Sequence, residues 1–442
     1  MTWTRFPSRV HSAVRARLGR LVLTGRELRD LRAELLLLRK DSNSLVVATE
    51  QVAELRRDQD RQRRRFKAVK KTLDGLPRYE HGSLTVGVEA WSHRWRQAEG
   101  KRVLLFANRD FAGSFFKLAE AINRCTDYAA RLVAFQSHPF GYPLDLLYSA
   151  ASLEPSYPGL LDLIGQSDVI QLKDETGFFR GTNKLPPDLL TGSGVPVIFT
   201  HYGGYARKHA DDVAYIEHVR SFAARVALTP DLCFEWFDGS YLPHCVDAHR
   251  FEYSWRDGRT VGHSPSTPER KGTAELLEAV RELGLTVDMI HGVGHEECLA
   301  RKARCNVFFD QAGRESVELL GIDRVIGWYG NSALEAAVHG IPTIAHLSEE
   351  ALDNAARAGK DVRDSCAIIN TPLGADGIRQ TIGAFFDLSP DERRELSLRT
   401  RAWIEDFHSY EAVGPEAAAL YDRVRRGQTG EAAALPPAAR SG

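Results

Sequence analysis

The sequence lacks any apolar run able to cross a bilayer: its longest, 35–38 and 45–48, fall far short of the roughly 18 to 20 residues a spanning helix needs. Its six cysteines, Cys125, Cys233, Cys245, Cys298, Cys305 and Cys366, include no CxxC and no metal-type spacing. They read as small buried hydrophobes of a reducing compartment, and the sequence predicts no metal site. There is no GxSxG nucleophile elbow and no complete P-loop, which argues against a serine hydrolase of that class and a P-loop NTPase. His291, His295 and Glu296 stand close together but do not form HExxH. Trp3 and Phe6 lie in a basic start that has neither the apolar core nor the small-residue cleavage site of a signal peptide. The expected location is the cytoplasm, or the inner face of the membrane as a peripheral protein.

Charge is scarce in the total and plentiful in its distribution. The formal net charge is −1, yet residues 1–80 hold 20 Lys or Arg against 10 Asp or Glu, leaving −11 on the rest. Within that basic arm Leu31, Leu38, Leu45 and Val52 recur seven apart, with Leu28 and Leu35 beside them, which predicts a short coiled-coil seam. Such an arm packs on the body, joins a second copy, or meets an anionic membrane through Arg5, Arg9, Arg15, Arg17 and Arg20. No recognition motif accompanies the charge, so nucleic acid is not an expected partner.

Beyond a turn-rich stretch at 76–87, short apolar runs alternate with helical ones, the pattern of an α/β chain with parallel sheets wrapped by helices. Strands are predicted at 102–106, 131–135, 169–172, 195–200 and 225–228, then from 260 at 287–291, 307–310, 343–345 and 367–370. Two such series predict two similar domains, joined at a polar turn within 251–259. The composition predicts helices over 389–425 and a disordered tail over 427–442.

Several segments carry chemistry. In 196–207, Pro-Val-Ile-Phe-Thr-His-Tyr-Gly-Gly-Tyr-Ala-Arg, a buried strand ends in His201, whose imidazole is expected to face a cleft and serve the reacting group. Segment 263–273, His-Ser-Pro-Ser-Thr-Pro-Glu-Arg-Lys-Gly-Thr, sets Ser264, Ser266, Arg270 and Lys271 between a strand and a helix, a natural anion site. Segment 327–344, Gly-Trp-Tyr-Gly-Asn-Ser-Ala-Leu-Glu-Ala-Ala-Val-His-Gly-Ile-Pro-Thr-Ile, places Gly330, Asn331 and Ser332 at the start of a helix that contains Glu335. Asn331 and Ser332 are expected to cap that helix. Asp310 ends the preceding strand. After the first strand, Gly113 opens a helix, and Arg109 and Asp110 are candidates for binding acceptor hydroxyls or phosphate. Segment 242–251, Leu-Pro-His-Cys-Val-Asp-Ala-His-Arg-Phe, lies at the crossing between the domains.

In this order the segments resemble the glycosyltransferases of two facing Rossmann-like domains, the GT-B fold, and especially the large retaining group typified by bacterial mannosyl- and glucosyltransferases. The resemblance covers about residues 100–425. It implies an acceptor domain at 95–252, a nucleotide-sugar domain at 256–388, and helices at 389–425 packing back across both. It further implies that Lys271 and Arg270 hold the donor diphosphate and that Glu335 accepts from the donor ribose. The substrate would be a nucleotide diphosphate sugar, with no cofactor, and the acceptor a glycan, a lipid-linked or a small molecule in envelope polysaccharide or glycoconjugate synthesis. One departure stands out: the group's first glutamate, which touches the transferred sugar, is replaced by Gly327, and Asp310, ending the preceding strand, is the carboxylate expected to reach the same space of the donor. That leaves open a non-catalytic sugar-nucleotide or glycan binder and, third, a nucleotide-sugar epimerase.

Overall fold

The structure, a computed structural model, describes residues 85–148, 153–173, 190, 192–315 and 321–427. The chain divides into two units, Met1–Glu80 and His81–Gly442, and the described residues belong to the second. The basic arm with its heptad leucines and arginines, and the tail from 428, lie outside them.

Helix α1, Thr85–Gln97, begins inside the stretch predicted as turns and ahead of the expected domain start at 95. Its Trp91 and Trp95 are buried, Trp91 against Phe116 at 5.1 Å and Trp95 donating to Gln166 at 3.0 Å. The first domain continues through β1 (Arg102–Arg109), α2 (Ser114–Cys125), β2 (Ala129–Gln136), β3 (Leu146–Leu147), α3 (Leu153–Gln166), β4 (Val169–Lys173) and β5 (Val197–His201). It closes with α4 (Gly203–Lys208), α5 (Val213–Arg220), β6 (Ala224–Ala227) and β7 (Ser240–Tyr241). All strands pair in parallel, in the order β3-β2-β1-β4-β5-β6-β7. A strand covered by helices on both faces must be apolar on both, which is why β1 reads as the continuous run Val-Leu-Leu-Phe-Ala rather than alternating.

The second domain comprises β8 (Thr260–His263), α6 (Pro268–Lys271), α7 (Thr273–Glu282), β9 (Thr286–Met289), α8 (His295–Lys302) and β10 (Val307–Gln311). A small hairpin of β11 (Arg314–Glu315) and β12 (Arg324–Val325) precedes α9 (Asn331–Ala337), β13 (Thr343–Ala345), α10 (Glu349–Arg357), β14 (Ile369–Asn370) and α11 (Ala375–Asp387). Its parallel sheet runs β14-β13-β10-β8-β9. In each sheet the order reverses beside the first strand, between β1 and β4 and between β8 and β10. Ligands of such sheets bind in the crevice at those points, beyond the carboxyl ends of the strands. The sequence missed the two-residue strands β3 and β7 and the hairpin, all too short to show periodicity.

The chain returns through α12 (Pro390–Trp403), a wide π turn at Ile404–His408, and α13 (Tyr410–Arg425). Ser389 and Glu392 form a capping box that starts α12. The outward crossing and the return lie side by side, with Val246 N donating to His408 O at 2.8 Å. Helix α13 then packs on α2 of the first domain. Tyr421 donates to Gln171 at 2.7 Å, Tyr128 to Asp422 at 2.6 Å and Tyr410 to Glu120 at 2.8 Å. Gly414 is what lets the two helices approach, because a Cβ there would stand 2.9 Å from Ala121 O and 3.2 Å from Cys125 Cβ. Gly414→Val is therefore expected to lower stability by about 1–3 kcal/mol through overpacking, read as a fall in the urea midpoint without a change in slope.

Candidate functional site

A cavity of about 630 Å³ opens between the two sheets, lined by the loops that follow β1, β2, β5, β8 and β9 and by the start of α9. Arg109, Arg207, Arg270, Lys271 and Lys302 line it, and among the described residues no Asp or Glu does. The carboxylates stand behind the wall and hold the cations in place. Such a surface suits an anion with several charged oxygens.

On the second-domain side the strand β8 gives way to a loop that presents Ser264, Ser266, Arg270 and Lys271 to the cavity. Gly272 turns the chain from α6 into α7 at φ 72°, in the left-handed region, and a Cβ there would stand 2.5 Å from Ala312 O. That close approach brings Lys271 to the end of β10, where Asp310 accepts from its Nζ at 3.0 Å and from Gly330 N at 2.7 Å. Asp310 is buried and does not line the cavity, so its role is to fix Lys271 and the Gly330 loop rather than to touch a donor. Arg270 pairs with the buried Glu315. Ser264 contacts the Cys298 thiol at 3.3 Å. Asn331 and Ser332 do not cap α9, whose N-cap is Gly330 with no side-chain bond. They are its first two residues and are held sideways, Ser332 by Lys302 at 2.8 Å and Asn331 by His244 at 3.2 Å.

Glu335 departs from its expected place at a ribose. It is only 2% exposed and does not line the cavity. Lys302 Nζ donates to its Oε2 at 2.7 Å; Lys117 Nζ and His295 Nε2 each approach Oε1 at 3.1 Å, and the Tyr142 hydroxyl lies 3.4 Å away. Lys117 and Tyr142 belong to the first domain, so this carboxylate binds the domains together. Burial alone would raise the Glu335 carboxyl, but Lys302, Lys117 and His295 outweigh it and hold the group well below its ordinary 4.5. The His295 ring stacks on Tyr142 at 4.0 Å, and its backbone N donates to Phe140 O at 2.8 Å, sealing the same junction. A second junction lies across the cavity: Arg207 donates to Asp231 at 2.5 Å and to Glu315 at 2.9 Å, and Asp231 also accepts from Gly327 N at 3.2 Å.

The first-domain wall corrects two sequence expectations. His201 is 0% exposed, encircled by Phe199, Tyr215, Phe234, Trp236 and Phe237, and is absent from the cavity lining. Burial pushes its imidazole down to about 4, and its Nδ1 meets Leu232 O at 3.2 Å; it is a neutral core residue, not a group at the reacting face. Asp110 is likewise buried: it accepts from Phe115 N at 3.0 Å and Phe116 N at 2.9 Å, capping α2, and from Lys173 Nζ at 2.9 Å. Nothing of it is left for an acceptor. Gly113, at φ 61°, lies under the Tyr142 ring, while Arg109 does reach the cavity.

Two histidines that the sequence did not mark as site residues line the cavity instead, one of them within segment 242–251. Burial, with Arg109 adding to it, pushes His138 down to about 4, and burial holds His244 well below its ordinary value, with Lys173 and Lys117 adding to it. Both are neutral. His244 Nδ1 accepts from the Asn331 amide, which leaves the ring proton on Nε2 as a donor. At Gly327 a Cβ would collide with the Ser348 hydroxyl and lie 3.4 Å from Asp231 Cβ, so a glutamate there would require Ser348 to move.

Among the described residues no group of three or more His, Cys, Asp or Glu is placed to hold a metal ion, and no helix is long and apolar enough to cross a membrane.

Neither a protein-family model nor a curated protein sequence matches the chain. Its fold does match solved structures. Anabaena HepE in complex with UDP and glucose superposes with a TM-score of 0.50 at 11% identity, covering 72% of this chain and 98% of that one. An alpha-glucosyltransferase in complex with UDP and a 13-mer DNA gives 0.50 at 9% identity, and 0.51 at 10% with a mismatched DNA, each covering 73% and 99%. The chain has the GT-B fold, as its sequence led one to expect. Because one of these neighbours is bound to DNA, the expectation that nucleic acid plays no part gains no support from them.

Replacing Glu335 by Gln would leave the buried Lys302 and the half-buried Lys117 facing an uncharged amide, so Glu335→Gln is expected to lose about 3–5 kcal/mol of stability at pH 7 in urea unfolding. The native carboxyl ionises below 4.5, so its contribution is full above that pH and is lost as pH falls through the lowered value. The gap between the two proteins should accordingly narrow below pH 4.5.

Proposed function

We propose that this chain of GT-B fold is a glycosyltransferase that moves a hexose-type sugar from a nucleotide diphosphate donor in the second domain to an acceptor in the first. The observation that carries this reading is the cavity lining, with five basic side chains and no described carboxylate at the switch points of both sheets. Lys271, oriented by Asp310, and Arg270, oriented by Glu315, would flank the diphosphate, with the Ser264 and Ser266 hydroxyls beside them. As the bond between the anomeric carbon and the phosphate oxygen breaks, negative charge grows on that oxygen. A fixed ammonium and guanidinium stabilise it most when they need not reorganise. The UDP bound in the two fold neighbours supports a uridine donor.

Retention of configuration rests on the resemblance. In a retaining transfer the departing phosphate oxygen takes the acceptor proton as the new bond forms on the same face. Closure of the two domains on both substrates would exclude water and favour transfer over hydrolysis. The basic residues 1–80 suit an anionic membrane surface, which fits a lipid-linked or glycan acceptor in envelope or glycoconjugate synthesis.

A second reading, a non-catalytic sugar-nucleotide binder, draws on Gly327 and on Glu335 being turned away from the cavity. It shares the binding site and differs in having no turnover.

Calorimetric titration with UDP, GDP and dTDP should show saturable binding of one nucleotide. Lys271→Ala should weaken it by about ten- to a hundredfold, the scale of one hydrogen bond to a charged group. Equal affinity in Lys271→Ala, or no binding by folded wild-type protein, contradicts the site. Binding without release of sugar from any conjugate selects the second reading.

A further inference from the structure

Four of the five basic side chains that line the cavity are matched by a carboxylate behind the wall. Lys271 has Asp310 at 3.0 Å, Lys302 has Glu335 at 2.7 Å, Arg207 has Asp231 at 2.5 Å, and Arg270 has Glu315. Arg109 is the exception. Its Nη2 donates to the neutral Gln136 Oε1 at 2.7 Å, its buried Nε has no hydrogen-bond partner, and no carboxylate pairs with it among the described residues. The neighbouring Asp110 cannot serve, being taken up by Lys173 and by the two amides that open α2. A guanidinium half withdrawn from water with an unused donor is unfavourable until an oxyanion arrives, and its planar fork fits a carboxylate or phosphate.

Its place in the fold says which substrate brings that oxyanion. Arg109 projects from the carboxyl end of β1, at the switch point of the first sheet, in the half left to the acceptor when the donor occupies the second domain. Beside it the Phe111 and Tyr202 rings stack at 6.1 Å with 11° between planes, and His138 meets Phe111 edge-on at 6.0 Å. All three rings line the cavity and give the apolar side of a pyranose ring something to lie against. We infer that the acceptor is an acidic sugar, whose carboxylate or phosphate is taken in the fork of Arg109 while its ring rests on the aromatic wall. The inference rests on the donor reading above and adds the chemical class of the second substrate.

The test is calorimetry on the full chain saturated with UDP, titrated with glucose, glucuronate and glucose 6-phosphate, in wild type, Arg109→Gln and Arg109→Lys. At least one acidic sugar is expected to bind about tenfold or more tighter than glucose, as one charge-assisted contact would give. Which one does so distinguishes carboxylate from phosphate. Arg109→Gln should abolish the preference, Arg109→Lys should keep part of it, and UDP affinity and thermal midpoint should be the same in all three. Equal binding of the three sugars overturns the inference, as does a preference that survives in Arg109→Gln. A loss of UDP affinity in Arg109→Gln also overturns it, by placing Arg109 on the donor diphosphate. Failure of wild type to bind UDP at all is the different result that removes the donor reading, and this inference with it.

Discussion

A carboxylate withdrawn from water between two domains must be neutralised by its surroundings, and Glu335 is neutralised from both sides at once. Lys302 and His295 come from its own domain, Lys117 and Tyr142 from the other. Removing any one cation would leave a buried charge short of its partner, a penalty of several kcal/mol, so the relative placement of the two sheets is tied to this one side chain. The cavity, its cationic lining and the close approach of the first-domain aromatics to α8 all follow from that placement.

The same logic organises the rest of the wall. Asp310, Glu315 and Asp231 each stand behind a cation that faces the cavity, acting as an outer layer that orients a basic inner one. Each carboxylate restrains a long flexible side chain before any ligand arrives, which lowers the entropy lost on binding. With the carboxylates withdrawn, the inner surface is left to lysine, arginine, neutral imidazole and hydroxyl groups. The double crossing at Val246 and His408, and α13 seated on α2, give this arrangement a broad mechanical base.

The strand series was legible because parallel strands buried on both faces must be apolar along their whole length, and Thr343–Ala345 was found where its residues predicted it. Short β3 and β7 carry too few residues to show any period. His201 was misplaced for a related reason: alternate strand residues face opposite ways, and in a run buried on both faces nothing tells which parity points to a crevice. Lys271 was legible from the strand, polar loop and helix around it. The Glu335 junction was not, since Lys117 and Tyr142 come from far along the chain and no local spacing joins them. A fainter signal was Lys302, a cation four residues after Cys298 and three after Leu299, on the face of its helix that carries those two apolar residues. Gly327 is the instructive case. Sequence marks it as a lost carboxylate, and the structure shows the Ser348 and Asp231 side chains packed close to where a side chain would begin.

The central claim is that Glu335 serves the junction between the domains while Lys271 serves the donor. A crystal structure of the UDP complex tests it most directly. The account predicts phosphate oxygens within hydrogen-bonding distance of Lys271 Nζ, with Glu335 still held by Lys302 and Lys117. A complex in which Glu335 has left both lysines to take the ribose hydroxyls would contradict it.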